Sequence, residues 1–388
     1  MGKEVTCWAN WLWSVATKGV GLTHAKTSPL ADRGGDAWTI GSPKAVVNHL
    51  SGPRRPIRFH GMTNGRQALE IRPFGSSHLD AAAALLAERH RRHRRAEPAL
   101  DPTYESPETA GREISAALAA DGASAWVATR EGAIVGYMIG SPKADETWGP
   151  NIWIESAGHA ATEPEIVREL YAVAAAAWVK AGRTNHHVLV PATDAALVDA
   201  WFRLDFGQQH VHAVCEPPSK DFAVIPRSEL IVRAAQPEDI PVLAELELVL
   251  PRHSQASPVF SRLEPPSFEQ ARSELEADWG DPKWAIFVAE HDGRVIGSAV
   301  GCALELSSGH TPLMRPTRAG FLGFAAVLPD ARGLGAGRAL GEAVLAWTRD
   351  AGYDWATTDW RSTNLEAART WPTLGFRPTF RRLHRSIT

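Results

Sequence analysis

Residues 320–340 read GFLGFAAVLPDARGLGAGRAL. The stretch opens with an apolar run that is typical of a buried strand, and it closes with a segment typical of a helix. The turn between them contains the glycine-rich run 332–338, which starts and ends with arginine. Glycines let the backbone adopt positive φ and approach a ligand closely, and the amides at a helix start point at anions. Because Arg332 and Arg338 can add charge-assisted contacts, the stretch predicts a cradle for a diphosphate.

Two other interpretations compete with the cradle. Three glycines alone are also typical of a tight turn that caps a helix. A dinucleotide fingerprint is the second alternative, since Asp359 follows about 20 residues later. Against it, Arg338 stands where the last glycine of that fingerprint belongs, and the first glycine does not directly follow the strand. About 50 residues remain after the loop, too few for further βαβ units.

The same stretch resembles motif A of the GNAT acetyltransferase superfamily, whose pattern is Q/R-x-x-G-x-G/A. Arg332, Gly335 and Gly337 match its three fixed positions. A second stretch resembles motif B, usually N-x-x-A followed by an aromatic residue and G-F. The matching residues are Asn364, Ala367, Leu374, Gly375 and Phe376. The order of predicted elements across residues 229–388 also resembles this superfamily.

The resemblance implies acetyl-CoA as co-substrate and direct attack of an amine on its thioester. The pyrophosphate would lie on the run 333–338, and the thioester would lie between the strands at 325–327 and 355–359. The backbone amide of Val327 would polarise the thioester carbonyl. The expected cofactor-binding residues are Ala325, Ala326, Val327, Arg332, Gly333, Leu334, Gly335, Ala336, Gly337, Arg338, Asn364 and Trp371. No metal is expected.

The residues that move protons are less well defined. Family members often carry Tyr at the position of Trp371 as the acid for the departing thiolate, and an indole cannot replace it. The proton could instead come from a nearby hydroxyl (Ser362, Thr363 or Thr370) or from water, or the thiolate could leave unassisted. The candidate general bases are Glu305, His310, Asp359, Glu247 and His253. Asp359 and Glu305 are retained as tentative bases, and Asp359 is preferred because its strand ends beside the expected thioester.

The chain repeats itself at an offset of roughly 160–170 residues, as a duplicated domain would. Trp126-Val127-Ala128 is matched by Phe287-Val288-Ala289, and Ala177-Trp178 by Ala346-Trp347. The predicted fold is α/β with mixed sheets, built as two tandem GNAT-like domains at residues 66–220 and 229–388. Residues 1–65 are expected to be a disordered extension or an artefact of an upstream start site.

The first repeat is expected to be a degenerate copy. Aligning its Trp178 with Trp347 places Glu163, Ile166 and Arg168 where the second repeat has Arg332, Gly335 and Gly337. The loop has lost its glycines and gained carboxylates, which repel a diphosphate. We therefore expect this repeat to keep the fold without binding coenzyme A. We expect it to pair with the second repeat and to form one wall of the acceptor cleft.

Composition excludes several classes of protein. The formal charge is −3, and the three cysteines are far apart without a C-x-x-C pair, which favours a reducing, cytoplasmic setting over a disulfide framework. No segment has the roughly 18–20 apolar residues of a membrane helix, so no membrane partner is expected. The basic run 89–95 reads as a solvated helix face, with nucleic acid as a less favoured partner. We expect a monomer or homodimer.

Two functions fit the sequence. The first is an acetyl-CoA-dependent N-acetyltransferase, with the long connection 249–268 as a mobile lid that selects a small amine. The second is an inactive coenzyme A-binding or sensing module, suggested by the missing Tyr. The acceptor-binding loops carry no diagnostic motif, so an aminoglycoside, an amino acid, a polyamine, a thiol-sugar amine and a protein terminus all remain candidate acceptors.

Overall fold

The computed structural model describes residues 57–59, 69–219, 230–261 and 264–388. Its strands are β1 (Ile57–Phe59), β2 (Leu69–Pro73), β3 (Ser124–Arg130), β4 (Ala133–Gly140), β5 (Asn151–Ile154), β6 (His159–Ala161), β7 (Asn185–Pro191), β8 (Gly207–Cys215), β9 (Leu230–Ala234), β10 (Ala285–His291), β11 (Arg294–Ala303), β12 (Ala319–Val327), β13 (Trp355–Arg361) and β14 (Arg377–Ser386). Its α-helices are α1 (Leu79–Ala96), α2 (Pro107–Ala119), α3 (Asp145–Trp148), α4 (Pro164–Lys180), α5 (Ala195–Phe202), α6 (Ile240–Gln255), α7 (Phe268–Asp278), α8 (Ala336–Asp350) and α9 (Leu365–Thr373).

The strands form two mixed sheets. One has five strands in the order β1-β2-β3-β4-β6, and the other has nine in the order β5-β7-β14-β8-β13-β12-β11-β10-β9. The predicted α/β class with mixed sheets is therefore confirmed. The strand β1 lies inside the extension predicted at residues 1–65 and pairs with β2. The rest of that extension lies outside the described residues.

The two repeats share details that only a common fold explains. The hairpins β3–β4 and β10–β11 turn through an acidic residue and a glycine with positive φ, at Glu131-Gly132 and Asp292-Gly293. A tryptophan also packs against a strand glycine in each repeat. A Cβ on Gly140 would lie 2.5 Å from Trp178, and a Cβ on Gly301 would lie 2.8 Å from Trp347. The dipeptide Asp292-Gly293 is itself a strong sequence signal for a hairpin, and the structure has this hairpin. The predicted self-similarity is confirmed.

The last strand of each repeat is exchanged into the other repeat. Strand β8 of the first repeat pairs with β13 of the second, and β14 of the second pairs with β7 of the first. The two exchanged strands pair with each other at the centre of the large sheet. Side chains follow their strands, since Val211 and Ala213 join the core of the second repeat while Leu383 joins that of the first. Sequence reasoning missed both β8 and this exchange.

Two other expectations need correction, and helix α2 was not predicted. The expected lid at residues 249–268 is largely helical at its start, because α6 continues to Gln255. The basic run 89–95 is also only partly a solvated face. Within it, Arg89 is buried and donates hydrogen bonds to the carbonyl oxygens of Ser156 and His159. In the described part of the chain, no helix is both long and apolar enough to cross a bilayer.

Candidate active site

A cleft of about 310 Å³ opens where β12 meets the starts of α8 and α9. It exists because β12 and β13 diverge. The two parallel strands pair only from Ala319 and Trp355 to Leu322 and Thr358, although β12 continues to Val327. Helix α6 closes one side with Val249, Leu250 and His253. The predicted gap between the two strands is therefore present.

The glycine-rich loop forms one end of this cleft. Gly333 has φ 89° and Gly335 has φ 84°, a left-handed conformation that residues with a Cβ adopt only at a cost. Gly335 is the N-cap of α8 and has no side chain with which to cap it, and no acidic residue lies in the first turn of this helix. By contrast, Asn364 caps α9 by accepting from the amide of Ala367. The start of α8 thus offers backbone amides and a positive dipole end to an anion.

A carboxylate lies against the cationic side of this loop. Glu366 Oε1 lies 3.5 Å from Arg332 Nη1, and its Oε2 lies 3.2 Å from His253 Nε2. Arg338 pairs with Glu342 one turn further along α8 at 2.9 Å. All of these groups except His253 are substantially exposed or flank solvent, so the pairs are weak and a diphosphate could compete with Glu366 for Arg332.

The backbone of β12 presents amides to the gap. The amide of Leu328 donates to the Ile296 carbonyl on β11 at 2.8 Å. Successive amides of a strand point to opposite sides, so the N–H of Val327 points away from β11 and into the gap. This is the geometry that an oxyanion contact requires.

Most of the predicted cofactor residues line this one cleft. They are Ala325, Ala326, Val327, Arg332, Gly333, Gly335, Ala336, Gly337, Arg338, Asn364 and Trp371. Leu334 does not, since it is 42% exposed. Sequence reasoning missed Val249, Leu250, Ala331, Glu366, Ala367 and Thr370 as lining residues. Their spacing on α6 and α9 follows one helical face, so helical periodicity beside the motif would have found most of them.

The preferred base, Asp359, lies in a buried cluster of histidines. Its Oδ1 accepts a hydrogen bond from His210 Nε2 at 2.9 Å. His212, its partner across the sheet, has Nδ1 3.4 Å from Nε2 of His310. Burial lowers the pKa of His210 and of His310 to about 4 each, so both are neutral at pH 7. Burial alone would raise the pKa of Asp359, but the surrounding imidazoles outweigh it and hold that pKa well below its ordinary value.

Three groups of this cluster have the spacing of metal ligands. One ligand atom from each of His212, His310 and Asp359 lies within 4.8 Å of the others. Two guanidinium groups, Arg361 and Arg382, act electrostatically on the same carboxylate. Their positive charge opposes a cation at this place. The expectation of no metal stays a prediction.

Comparison with known proteins agrees with this geometry. A sequence profile of the Acetyltransferase (GNAT) family matches residues 254–376. The chain is also 31% identical over 151 residues to an aminoglycoside N(6')-acetyltransferase type 1 from Stenotrophomonas maltophilia. The matched region covers 39% of this chain and 88% of the relative. This chain belongs to the GNAT family.

One solved structure of a GNAT protein shares the fold of this chain. A GCN5-related N-acetyltransferase from Sphaerobacter thermophilus superposes with a TM-score of 0.50 at 14% identity, covering 82% of this chain and 95% of that chain. A tandem GNAT protein from the clavulanic acid biosynthesis pathway is similar at 17% identity with a TM-score of 0.41, covering 82% of this chain and 98% of that chain.

Of the other candidate bases of this GNAT chain, His253 lines the cleft, whereas Glu305 and Glu247 lie elsewhere. Glu305 is exposed beside the end of β11, which pairs with the start of β12 and so lies at the opposite end of that strand from the cradle. Glu247 is buried on α6, where burial and then Glu274 raise its pKa to about 8. Like Asp359, it does not line the cleft. The structure therefore brings Asp359 and His310 together and leaves Glu305 and Glu247 apart.

Trp371 is a wall of the GNAT cleft and a packing residue. It is 7% exposed, and a Cβ on Gly341 of α8 would lie 3.1 Å from its ring. Of the three hydroxyl residues considered as acids, Thr370 lines the cleft. Ser362 instead accepts a hydrogen bond from Gln208, and Thr363 is exposed.

The first GNAT repeat lacks room for the same loop. Strand β12 and helix α8 are separated by residues 328–335, which is eight residues. Strand β6 and helix α4 are separated by residues 162–163, which is two. Helix α4 also starts with Pro164, which has no amide hydrogen, and Glu163 is its N-cap. Glu163 pairs with Arg130 at 3.0 Å, so a carboxylate occupies the helix start.

Proposed function

We propose that this chain is an acetyl-CoA-dependent N-acetyltransferase that acetylates the amine of a small-molecule acceptor by direct attack. The observation that carries this proposal is the eight-residue loop with two left-handed glycines, which opens onto the gap between β12 and β13. The diphosphate of coenzyme A would lie on residues 333–338, and the pantetheine arm would run along the gap past Trp371. The 31% identical aminoglycoside acetyltransferase supports transfer to an amine.

In the proposed reaction, the amine nitrogen attacks the thioester carbonyl carbon. A C–N bond forms, the C–S bond breaks, and coenzyme A leaves as the thiolate. The Val327 amide stabilises the oxyanion of the tetrahedral intermediate. Holding both substrates in the gap supplies much of the rate by proximity.

The attacking amine loses a proton, and a base must accept it. The candidate base lies at Asp359. This carboxylate accepts from Nε2 of His210, which leaves the lone pair on Nδ1, and Nδ1 is buried without a hydrogen-bond partner. A carboxylate that orients an imidazole with a free nitrogen is a recurring arrangement for a general base. We therefore propose that Asp359 acts together with His210. Glu305 has no place in this mechanism, because it lies at the far end of β12.

The first test is thiol release from acetyl-CoA with a panel of amines, together with calorimetric binding of coenzyme A. The variant Gly333→Glu should lower coenzyme A affinity by tenfold or more, since it adds a negative charge and strains a residue at φ 89°. Its matched control is Gly182→Glu, at the end of α4, where φ is 78° and the space around a Cβ is equally open. Equal affinities in the two variants would refute the cradle.

A second candidate is a coenzyme A-binding module without catalysis. It is favoured by Trp371, an indole that lines the cleft where many family members have a phenol. Binding of coenzyme A without thiol release, across the whole amine panel, would select this function. We also propose a cytoplasmic setting, which suits Cys215 and Cys302, since both are free thiols in the described structure.

A further inference from the structure

A row of basic side chains crosses the centre of the large sheet. Arg361 on β13 and Arg382 on β14 both pair with His210 on β8, which lies between them. Side chains of directly paired residues point to the same face of a sheet, and neighbouring strands lie about 4.8 Å apart. The strand order therefore places two guanidinium groups of the second repeat on the same face of the sheet, one on each side of His210.

These two charges are poorly compensated. Arg382 is 5% exposed. Its Nε donates to Gln209 Oε1 at 2.9 Å, and its guanidinium lies 5.4 Å from the rings of Trp148 and Trp153. Its Nη2 is buried and has no hydrogen-bond partner in the part of the chain that the structure describes. Among the described residues, neither Arg361 nor Arg382 has a carboxylate within ion-pair distance.

A buried hydrogen-bond donor also lies near the row. The indole Nε1 of Trp153 is buried without a partner. Lys143 lies 3.9 Å from the Trp153 ring and pairs with Glu155. The carboxylates that reach Arg382 electrostatically are Asp359 and Glu155, while Arg361 opposes its charge. Burying two like charges costs free energy, and so does burying an N–H group without a hydrogen-bond partner. A negatively charged group that binds beside the two arginines would lower both costs.

The row lies next to the gap that would hold the thioester. The strands β12 and β13 separate after Thr358. Arg361 is three residues further along β13, on the same face as Asp359. An acceptor whose anionic group contacts the row can therefore bring its amine toward the gap.

We propose that Arg361 and Arg382, which flank His210, form a binding site for the anionic group of the acceptor, a carboxylate or a phosphate. The acceptor would then be an amine that carries a negative charge, rather than a polycation. The identity of this ligand as acceptor rests on the proposed acetyl transfer, but the anion site itself is independent of catalysis.

The activity arm compares amines that differ only in the anion. The pairs are each L-amino acid with its carboxamide, and glucosamine 6-phosphate with glucosamine, and spermidine is the polycation. In either the amino acid pairs or the glucosamine pair, we expect kcat/KM to be at least tenfold higher for the anionic member. The kind of pair that shows this difference identifies the bound anion as a carboxylate or a phosphate. Equal values within both kinds of pair, or a preference for spermidine, would overturn the proposal while leaving acetyl transfer intact.

The binding arm needs no turnover. Inorganic phosphate and acetate are added to the chain saturated with coenzyme A, and the melting temperature is measured. At least one anion should raise the melting temperature of the wild type and lose this effect in both Arg361→Gln and Arg382→Gln. The control is Arg381→Gln, which changes the same strand on its opposite face. An equal rise in all four proteins, or no rise in the wild type, would overturn the anion site, whether or not acetyl transfer is found.

Discussion

The junctions β12–α8 and β6–α4 occupy equivalent places in the two repeats and differ in one respect that matters for ligands. The first is eight residues long and has glycines at positive φ, whereas the second is two residues long and ends in a proline. The hairpins and the glycine–tryptophan contacts around them are the same. The shared scaffold positions the helix in both repeats, and we propose that the length and charge of the preceding connection determine whether the helix start binds a diphosphate.

The largest expected effect tests whether the scaffolds are equivalent. Gly140→Val and Gly301→Val each place a side chain against a buried tryptophan, since the added Cβ lies 2.5 Å from Trp178 and 2.8 Å from Trp347. Overpacking of this kind costs about 1–3 kcal/mol. Chemical denaturation should show similar losses for the two variants, in a single transition because the terminal strands are exchanged. Two separate transitions would mean that the repeats unfold independently.

The next largest effect is a loss of folding stability at acidic pH. The pKa values of His210 and His310 are lowered to about 4 by burial, from 6.5. Between these values the unfolded chain binds more protons than the folded chain, so stability falls as the pH drops from about 6.5 to 4. Each histidine contributes about 1–2 kcal/mol of this loss at pH 5. Melting curves from pH 7 to 4.5 measure the loss, and His310→Asn should make the dependence shallower.

His93 provides the comparison within the first repeat. Burial lowers its pKa to about 3, and its ring packs against Phe380 of the exchanged strand β14. A His93→Asn variant should reduce the acid dependence by a similar amount. If neither variant changes the slope of melting temperature against pH, the histidines are not neutral in the folded chain, and the description of both clusters fails.

The sequence predicts the glycine-rich loop and the cleft beside it well because their signal is local. Positive-φ glycines followed by a helix can be recognised within ten residues, and the structure places 11 of the 12 predicted cofactor residues along one cleft. The hairpin at Asp292-Gly293 is similarly local. The exception is Leu334, which the resemblance included by adjacency and which is exposed.

The sequence cannot predict the polar centre because it depends on strand exchange. His210 and His212 belong to β8, which no motif marks, and they reach Asp359 only because β8 leaves β7 and pairs with β13. Their distance in sequence from Asp359 is about 150 residues, and no local pattern connects them. Glu305 illustrates the opposite error, since it is near β12 in sequence but lies at the wrong end of that strand.

A smaller effect sharpens the comparison at the cationic side of the loop. Arg332→Gln removes one charge that can contact the diphosphate, and we expect coenzyme A affinity to fall about threefold to tenfold, with a weaker dependence on salt. The matched change in the first repeat is Arg168→Gln, which breaks a surface pair with Glu165. Calorimetry at two salt concentrations should show no change in affinity for Arg168→Gln. Equal effects of the two changes would remove the distinction between the repeats.

For the last variant we expect the affinity for coenzyme A to stay unchanged. Glu163→Gln removes the carboxylate of the N-cap residue of α4, which pairs with Arg130. Affinity for coenzyme A should stay within twofold of the wild type, because the two-residue connection still leaves no loop for a diphosphate. A second binding event in this variant would show that charge alone, and not loop length, had closed the first repeat.

The number of coenzyme A molecules bound per chain tests the central claim most directly. Isothermal titration of the wild type should give one site, and the same titration of Gly333→Glu should show that site weakened by tenfold or more. Two sites per chain would contradict the distinction between the repeats. One site of unchanged affinity in Gly333→Glu would place the cofactor somewhere other than the loop between β12 and α8.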